Sequence, residues 1–391
     1  MRHPASVDVD VVVVGGGPAG AITALLLARL GMSVVLAEHG SRHRHKTCGH
    51  CLGPRALPML QMLGLLDQTR ALALGSTDRL AVHAAEIAPL RVSTTNCAEG
   101  DAGLLVPRDG FDQMLRDAAA SVGADVQHDA PAMLERCHDD GADVRITGRS
   151  CSRLVRCCLV VGADGVGSAV ARAAGLTERE SAGRKYGFSF DGLAQNGADH
   201  EMDRGCVHMF LNRRGYLGVV RQADDTMHLA ALVSTTADAR AADPLEFVRD
   251  TGRMHTPLRQ MGWDQTDRND LLNFRATGPM PWRPRAAASG CVALVGDAAG
   301  YIEPFTGEGM TWAIESAMAL RETLVDHGQR WNDRTATEYA ARWQETVRRR
   351  QRVCRMLACA LERPRVSRWM LRLGNAAPVI ARRLVREVVT P

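Results

Sequence analysis

A chain of 391 residues, 46% hydrophobic and 24% charged, has an ordinary soluble composition and is long enough for a large core shared between two joined domains. No run approaches the ~18 consecutive apolar residues of a membrane helix, and residues 1–8 lack the apolar centre of a secretion signal, so the expected location is the cytoplasm. Eleven cysteines at irregular spacings argue against a disulfide framework, and a net charge of +4 without a nucleic-acid motif makes RNA or DNA an unexpected partner.

Residues 8–14 (DVDVVVV) form a β-branched run of the kind buried on both faces of a parallel sheet. The run feeds into Gly15-Gly16-Gly17-Pro18-Ala19-Gly20, then an alanine- and leucine-rich helix to about Leu30, and a second strand over residues 33–37 that ends in Glu38. Gly15 permits the tight turn, Gly17 lets backbone approach a pyrophosphate, and Gly20 lets helix and strand pack closely. The helix N-terminus adds free N–H groups and a positive dipole end. Glu38 is placed to accept hydrogen bonds from an adenosine ribose, which favours FAD or NAD over NADP.

The stretch HRHKTCGHC, residues 43–51, packs three histidines and two cysteines into nine residues. As zinc ligands, Cys48-x-x-Cys51 would need two more, and no second pair follows at ligand spacing. His43, His45 and His50 are too close together for a separate knuckle, so no metal is expected. Apolar spacing at Ala56, Leu57, Leu60 and Leu63 predicts a helix after Pro54. Another helix opens at Pro107-Arg108-Asp109-Gly110-Phe111-Asp112, where Asp109-x-x-Asp112 is open to reading as a helix cap.

Cys157 and Cys158 read as small core hydrophobes leading into a buried strand over residues 159–163, which runs into Asp164-Gly165-Val166-Gly167-Ser168. Alternation over residues 202–211, 216–221 and 227–233 predicts a sheet. Residues 291–295 are again strand-like and enter Gly296-Asp297-Ala298-Ala299-Gly300, then Pro304 and Thr306-Gly307-Glu308-Gly309-Met310. Asp297 offers an acceptor for ribityl or ribose hydroxyls. Gly307 and Gly309 bring backbone N–H groups and a helix N-terminus to an electron-poor ring. Residues 331–391 read as helices broken at Pro364 and near Pro378. From residue 342 onward thirteen arginines face Glu345, Glu362 and Glu387, a charge of +10 that leaves about −6 elsewhere. That tail is a solvated helical face or a contact for an acidic carrier protein or a membrane surface.

The glycine cradle, Asp164-Gly165 and Gly296-Asp297, in this order and spacing, resemble the flavoprotein group of para-hydroxybenzoate hydroxylase and geranylgeranyl reductase over about residues 8–330. The resemblance implies an α/β fold with a discontinuous Rossmann-type FAD-binding domain over residues 1–75, 100–180 and 289–330. A mixed β-sheet substrate domain would come from residues 76–99 and 181–288, and C-terminal helices from 331–391. FAD would be held at the cradle, Glu38, Asp164, Gly165, Gly296, Asp297, Pro304, Gly307, Gly309 and Met310, with Arg108 near the ribityl and phosphate groups.

Gly300 stands where aromatic hydroxylases usually carry histidine, and Met310 where they usually carry asparagine, so residues 296–310 resemble the geranylgeranyl reductase branch and its relatives in bacterial natural-product pathways. The Tyr-x-Trp-x-Phe-Pro run of those reductases is absent at residues 215–220, and the Trp-x-Trp-x-Ile-Pro motif of flavin halogenases is absent as well. Ala171 replaces the first of the family's usual arginines, with only Arg172 nearby, which leaves NADH and NADPH open as transient reductant. Cys48-Gly49-His50-Cys51-Leu52-Gly53-Pro54 resembles that branch's Cys-Gly-Gly segment followed by an apolar residue and proline, with His50 and Cys51 as departures. The resemblance puts Cys48 beside the flavin, as a catalytic or a packing thiol, with a reversible disulfide to Cys51 as a narrower option.

The expected function is an FAD-dependent oxidoreductase, first of all an NAD(P)H-dependent monooxygenase that hydroxylates or epoxidises a hydrophobic natural-product intermediate. Reduction of prenyl or polyene double bonds is the alternative, and a non-catalytic binding protein on the same fold a further one. Cys48 and Glu303 are the candidate catalytic residues, with Tyr186, His208 and His228 as other possible bases. The substrate and the choice between monomer and homodimer stay open.

Overall fold

The computed structural model describes residues 7–42, 46–95, 102–149, 151–177, 185–193, 202–234, 243–280, 284–302, 307–379 and 381. At its centre the β-branched strand Val9–Val14 lies between two parallel neighbours, Ser152–Gly162 and Val34–Ala37, with Val11 opposite Leu159 on one side and Val34 on the other. The short strands Val292–Leu294 and Asp125–Gln127 extend the parallel sheet outward, and an antiparallel pair, Ala132–His138 and Gly141–Thr147, branches from its long strand. Ser33, expected in the second strand, instead exchanges hydrogen bonds with Asp10, its N–H donating to the carboxylate at 2.7 Å.

The strand ends are tied level. The Gly15 N–H donates to Ala37 O, Ala163 N–H to Val14 O and Val295 N–H to Gly162 O. The loops that follow at 15–17, 163–168 and 295–300 therefore all leave the carboxyl ends of adjacent parallel strands, where open α/β sheets bind their ligands.

Helix Pro18–Arg29 begins with proline at its first position, where the missing N–H costs nothing. It is apolar all round and buried from Pro18 to Leu27, because helices Arg108–Ser121 and Gly309–Asp326 pack against it in addition to the sheet. Its approach to the sheet depends on Gly20, where a Cβ would sit 1.9 Å from the carbonyl oxygen of Gly15.

A second, seven-stranded sheet runs in the order Leu272–Met280, Lys185–Gly192, Met227–Ser234, Gly215–Arg221, Cys206–Asn212, Arg79–His83, Leu90–Ser93, antiparallel except between the strands of residues 206–212 and 79–83. The alternation is sharp. Leu217, Val219, Leu229 and Val233 face helices Pro244–Met254 and Thr256–Gln260 around Phe247 and Leu258, whereas Tyr216, Gly218, Val220, His228, Ala230 and Leu232 face a cavity. The strand expected from Met202 starts only at Cys206, because Gly205 turns the chain with φ +78°.

Helices Asp333–Trp343, Arg349–Leu361 and Pro364–Ala376 brace both sheets. The Tyr339 hydroxyl donates to Leu294 O at 2.6 Å in the first sheet, while Glu362 pairs with Lys185 and Asn375 donates to Ala88 O at the second. The break expected at Pro364 separates Arg349–Leu361 from Pro364–Ala376, with the proline at the first position of the second helix. Among the described residues no helix is long and apolar enough to cross a membrane. Cys157 is core filler as read, its thiol pushed up to about 12 by burial.

Gly20→Ala drives a methyl group into backbone that cannot yield. It is expected to destabilise the protein by about 1–3 kcal/mol, read as a lower denaturation midpoint, and to weaken dinucleotide retention.

Candidate functional site

A cavity of about 370 Å³ lies between the carboxyl ends of the parallel strands and the inner face of the second sheet. Two helices aim their N-termini at it. Gly17, Pro18 and Ala19 line one part, and Gly307, Gly309 and Met310 another. Neither helix start is capped by a side chain. Both therefore offer backbone N–H groups and positive dipole ends to whatever the cavity holds. At Gly17 an added Cβ would meet nothing nearer than an Arg108 guanidinium nitrogen at 3.9 Å, so the glycine faces open space.

Arg108 forms the floor beside the cradle. Its guanidinium makes two hydrogen bonds to Asp112, at 2.8 and 2.7 Å, and both side chains are buried. Burial acts against the Arg108 charge, but the Asp112 carboxylate and the neighbouring Cys48 thiol outweigh it and hold the pKa above its ordinary value. Asp112 is thus an ion-pair partner and not a cap; the cap position belongs to Pro107, without a side-chain bond.

The loop carrying Cys48 is fastened from the second sheet. The His228 Nε2–H donates to the carbonyl oxygen of Cys48 at 2.7 Å, and its Nδ1 lies 2.6 Å from an Asp191 carboxylate oxygen. Burial pushes Asp191 up, but the bonds from His228 and Asn273 prevail and its pKa falls below the ordinary value. Asp191 and the Cys48 carbonyl thus hold the ring from both sides. His50, held at φ 59°, stacks on that ring with centroids 3.6 Å apart. Burial first, and the facing His228 second, bring His50 down to about 3, so it stays neutral.

The two thiols differ. Both border the cavity, Cys48 beside Arg108, but the Cys51 S–H donates to Gly49 O at 3.2 Å and is pushed up to about 12 by burial, with Cys48 and Glu308 adding to it. Both are free thiols. Among the described residues no three His, Cys, Asp or Glu side chains are grouped to hold a metal; His43 and His45 lie outside the described residues.

Of the residues expected from sequence, Gly17, Ala19, Cys48, Arg108, Gly165, Asp297, Gly307, Gly309 and Met310 come together around the cavity. Gly15, Gly20 and Gly296 shape the backbone behind it. Glu38 accepts from the Gly16 N–H at 2.6 Å and the Gly40 N–H at 2.7 Å, which pins the cradle to the end of the second strand. Asp164 accepts from the Ser168 hydroxyl at 2.5 Å and the Ala169 N–H at 2.7 Å, so its carboxylate organises the turn while Gly165 reaches the cavity. Glu303 and Pro304 lie outside the described residues. Tyr186 and His208 do not line the cavity; His208 is buried on the far face of the sheet, bonded to His83 at 3.1 Å.

Sequence reasoning missed the Asp191–His228 fastening, which joins residues far apart in the chain. It also passed over Glu308, whose signal was an acid between two glycines.

These residues fit an extended dinucleotide ending in an electron-poor ring. A cradle open at Gly17 and two helix N-termini suit its phosphates and its carbonyl edge, and Asp297 suits a hydroxyl. Asp112→Ala leaves the Arg108 charge buried without its partner and is expected to cost about 3–5 kcal/mol in equilibrium denaturation. Iodoacetamide at about pH 8 is expected to leave Cys51 unlabelled until the protein unfolds, read by peptide mass spectrometry.

Comparison with known proteins agrees with this geometry. The FAD binding domain family matches residues 8–349. A menaquinone reductase of Mycolicibacterium smegmatis is 27% identical over 91% of this chain and 85% of its own length. The chloroplastic geranylgeranyl diphosphate reductase of Nicotiana tabacum is 28% identical over 87% of this chain and 72% of its own. The crystal structure of a geranylgeranyl bacteriochlorophyll reductase-like protein from Thermoplasma acidophilum shares the fold, with a TM-score of 0.72 at 19% identity over 90% of this chain and 87% of that one. With cradle, helix N-termini and family match in agreement, the chain belongs to the FAD binding domain family and is an FAD-dependent oxidoreductase.

Proposed function

We propose that this enzyme reduces a carbon–carbon double bond in an apolar, isoprenoid-like substrate, with NADH or NADPH as the source of electrons. The observation that carries the reading is the cavity wall opposite Gly307–Met310, where Met209, Val220, Ala230 and Leu232 present an apolar sheet face. FAD held at the cradle and the two helix N-termini would supply the two-electron chemistry. The chain's own residues orient and enclose. The sheet excludes water from the substrate, and the two helix N-termini stabilise negative charge at the cofactor. Arg108 and Asp112 keep the floor rigid. The names of the relatives, a menaquinone reductase and a geranylgeranyl diphosphate reductase, support an isoprenoid chain as substrate class.

A second reading, NAD(P)H-dependent monooxygenation of a hydrophobic intermediate, draws on the polar groups set into the same wall, Tyr216, His228 and Arg275. These suit a substrate that carries oxygen functions.

Incubating the FAD-loaded enzyme with NADH or NADPH and either menaquinone or geranylgeranyl diphosphate separates the readings. Reduction predicts coenzyme oxidation that depends on substrate, continues without oxygen, and yields a product heavier by two hydrogens. Coupled oxygen uptake with a product heavier by one oxygen atom would replace it with monooxygenation.

A further inference from the structure

Residues 349–376 hold eight arginines against one acid, Glu362, and that acid is engaged by Lys185. Arg350 pairs with Glu315 at 3.5 Å. The other seven arginines are exposed, and among the described residues none has an acidic partner. Charge alone would make this a solvated face, but apolar side chains stand among the arginines. Of the eleven large apolar side chains exposed among the described residues, four fall in residues 356–379: Met356 at 64%, Trp369 at 63%, Leu373 at 45% and Val379 at 76%. Single exposures scattered over a surface need no explanation. Helical spacing gathers these. Ser367 and Leu371 are the buried side of helix Pro364–Ala376, and Arg365, Trp369 and Leu373, four residues apart, form the row opposite them. Arg368 and Arg372 make the adjoining row.

The position of this helix ties it to the cavity. It runs along one end of the second sheet. Glu362, just before it, pairs with Lys185, the first residue of one strand, while near its other end Gly374 lies against Leu90, the first residue of the edge strand. Between these, the register of the sheet brings Ser234 opposite Lys185 and Gly215 opposite Val233 at the same end. Tyr216 and Leu232, which line the cavity, are one and two residues from that end. The helix therefore borders the part of the cavity away from the cradle.

We propose that helix Pro364–Ala376 docks the enzyme on a lipid bilayer with anionic headgroups. Arg365, Arg368 and Arg372 meet the phosphates, and Trp369 and Leu373 enter the boundary between headgroups and acyl chains, where an amphipathic indole is at home. No helix among the described residues can cross a bilayer, so the contact is with its surface. A second copy of this chain suits the face poorly, because unpaired arginines would meet arginines. An acidic protein would answer the charge but not the tryptophan–leucine row. The docking stands on the helix face; its use, taking an apolar substrate from the bilayer, rests on the reading of the cavity given above.

Co-sedimentation of the full FAD-loaded enzyme with vesicles tests this. The protein is expected to pellet with phosphatidylcholine vesicles containing about one-third phosphatidylglycerol, and to stay in solution with phosphatidylcholine alone or in about 1 M salt. Arg365→Gln/Arg368→Gln/Arg372→Gln should weaken binding on the order of 10²-fold, and Trp369→Ser/Leu373→Ser on the order of 10-fold. All five side chains are exposed, so both variants should keep the wild-type FAD spectrum. Met133→Ser, at an exposed position on the first sheet, should bind like wild type. Brominated acyl chains should quench a part of the fluorescence that Trp369→Phe removes. No binding to the anionic vesicles, variants that bind as tightly as wild type, or no quenching that depends on Trp369 overturns the proposal. Binding to polyglutamate that falls equally with Trp369→Ser/Leu373→Ser overturns it in favour of an acidic protein, and a vesicle-free dimer that the same variant breaks overturns it in favour of a second copy. Vesicle binding by an enzyme that reduces neither menaquinone nor geranylgeranyl diphosphate supports the docking and overturns only the reductase reading.

Discussion

The contact of helix Pro18–Arg29 with the end of strand Val9–Val14, backbone against backbone at Gly20 and Gly15, is the constraint on which the rest of this molecule depends. A side chain at Gly20 would lift the helix off the strand end, and one at Gly15 would run into the backbone of Ala163 and Asp164. Because the helix lies so close, its open N-terminus sits at the carboxyl ends of the parallel strands, where the 163–168 and 295–300 loops also emerge. Helices Arg108–Ser121 and Gly309–Asp326 then pack on its outer side. The second of these brings its own N-terminus to the same cavity.

Charge inside this arrangement is handled by pairing. Arg108 is matched by Asp112 and Arg55 by Glu315, and Asp191 is bonded to His228, each from a neighbouring turn or a facing element. Buried ions left without such partners would cost several kcal/mol each. The pairs also hold geometry: His228 reaches from the second sheet to the Cys48 carbonyl and ties the loop between the two sheets. Glu308 has no ion pair among the described residues, and burial raises its pKa to about 8 against a hydrogen bond from Thr311.

The C-terminal helices complete the enclosure. Tyr339, Gln351, Glu362 and Asn375 bond in turn to Leu294, Gly300, Lys185 and Ala88, a path that crosses from the parallel sheet to the antiparallel one. The cavity between the sheets is thereby held from behind, by a segment whose sequence announced only its helices and its charge.

Local pattern alone determined the glycine cradle, the buried strands and the loops at Asp164 and Gly296, because tight turns, close backbone approach and two-sided burial each restrict residue type within a few positions. It determined the family resemblance for the same reason, and the resemblance in turn pointed to Cys48, whose loop lines the cavity. Tertiary structure alone decided what the polar side chains do. Asp112 read equally well as a cap until Arg108 was seen against it, and Asp164 proved to organise its own turn. His228, one of several histidines in a strand-rich stretch, gained its meaning from Asp191 and a carbonyl 180 residues away. Glu308 carried no reading of its own until the fold buried it. A side chain's charge and role depend on burial and on partners distant in sequence, and neither exists until the chain has folded.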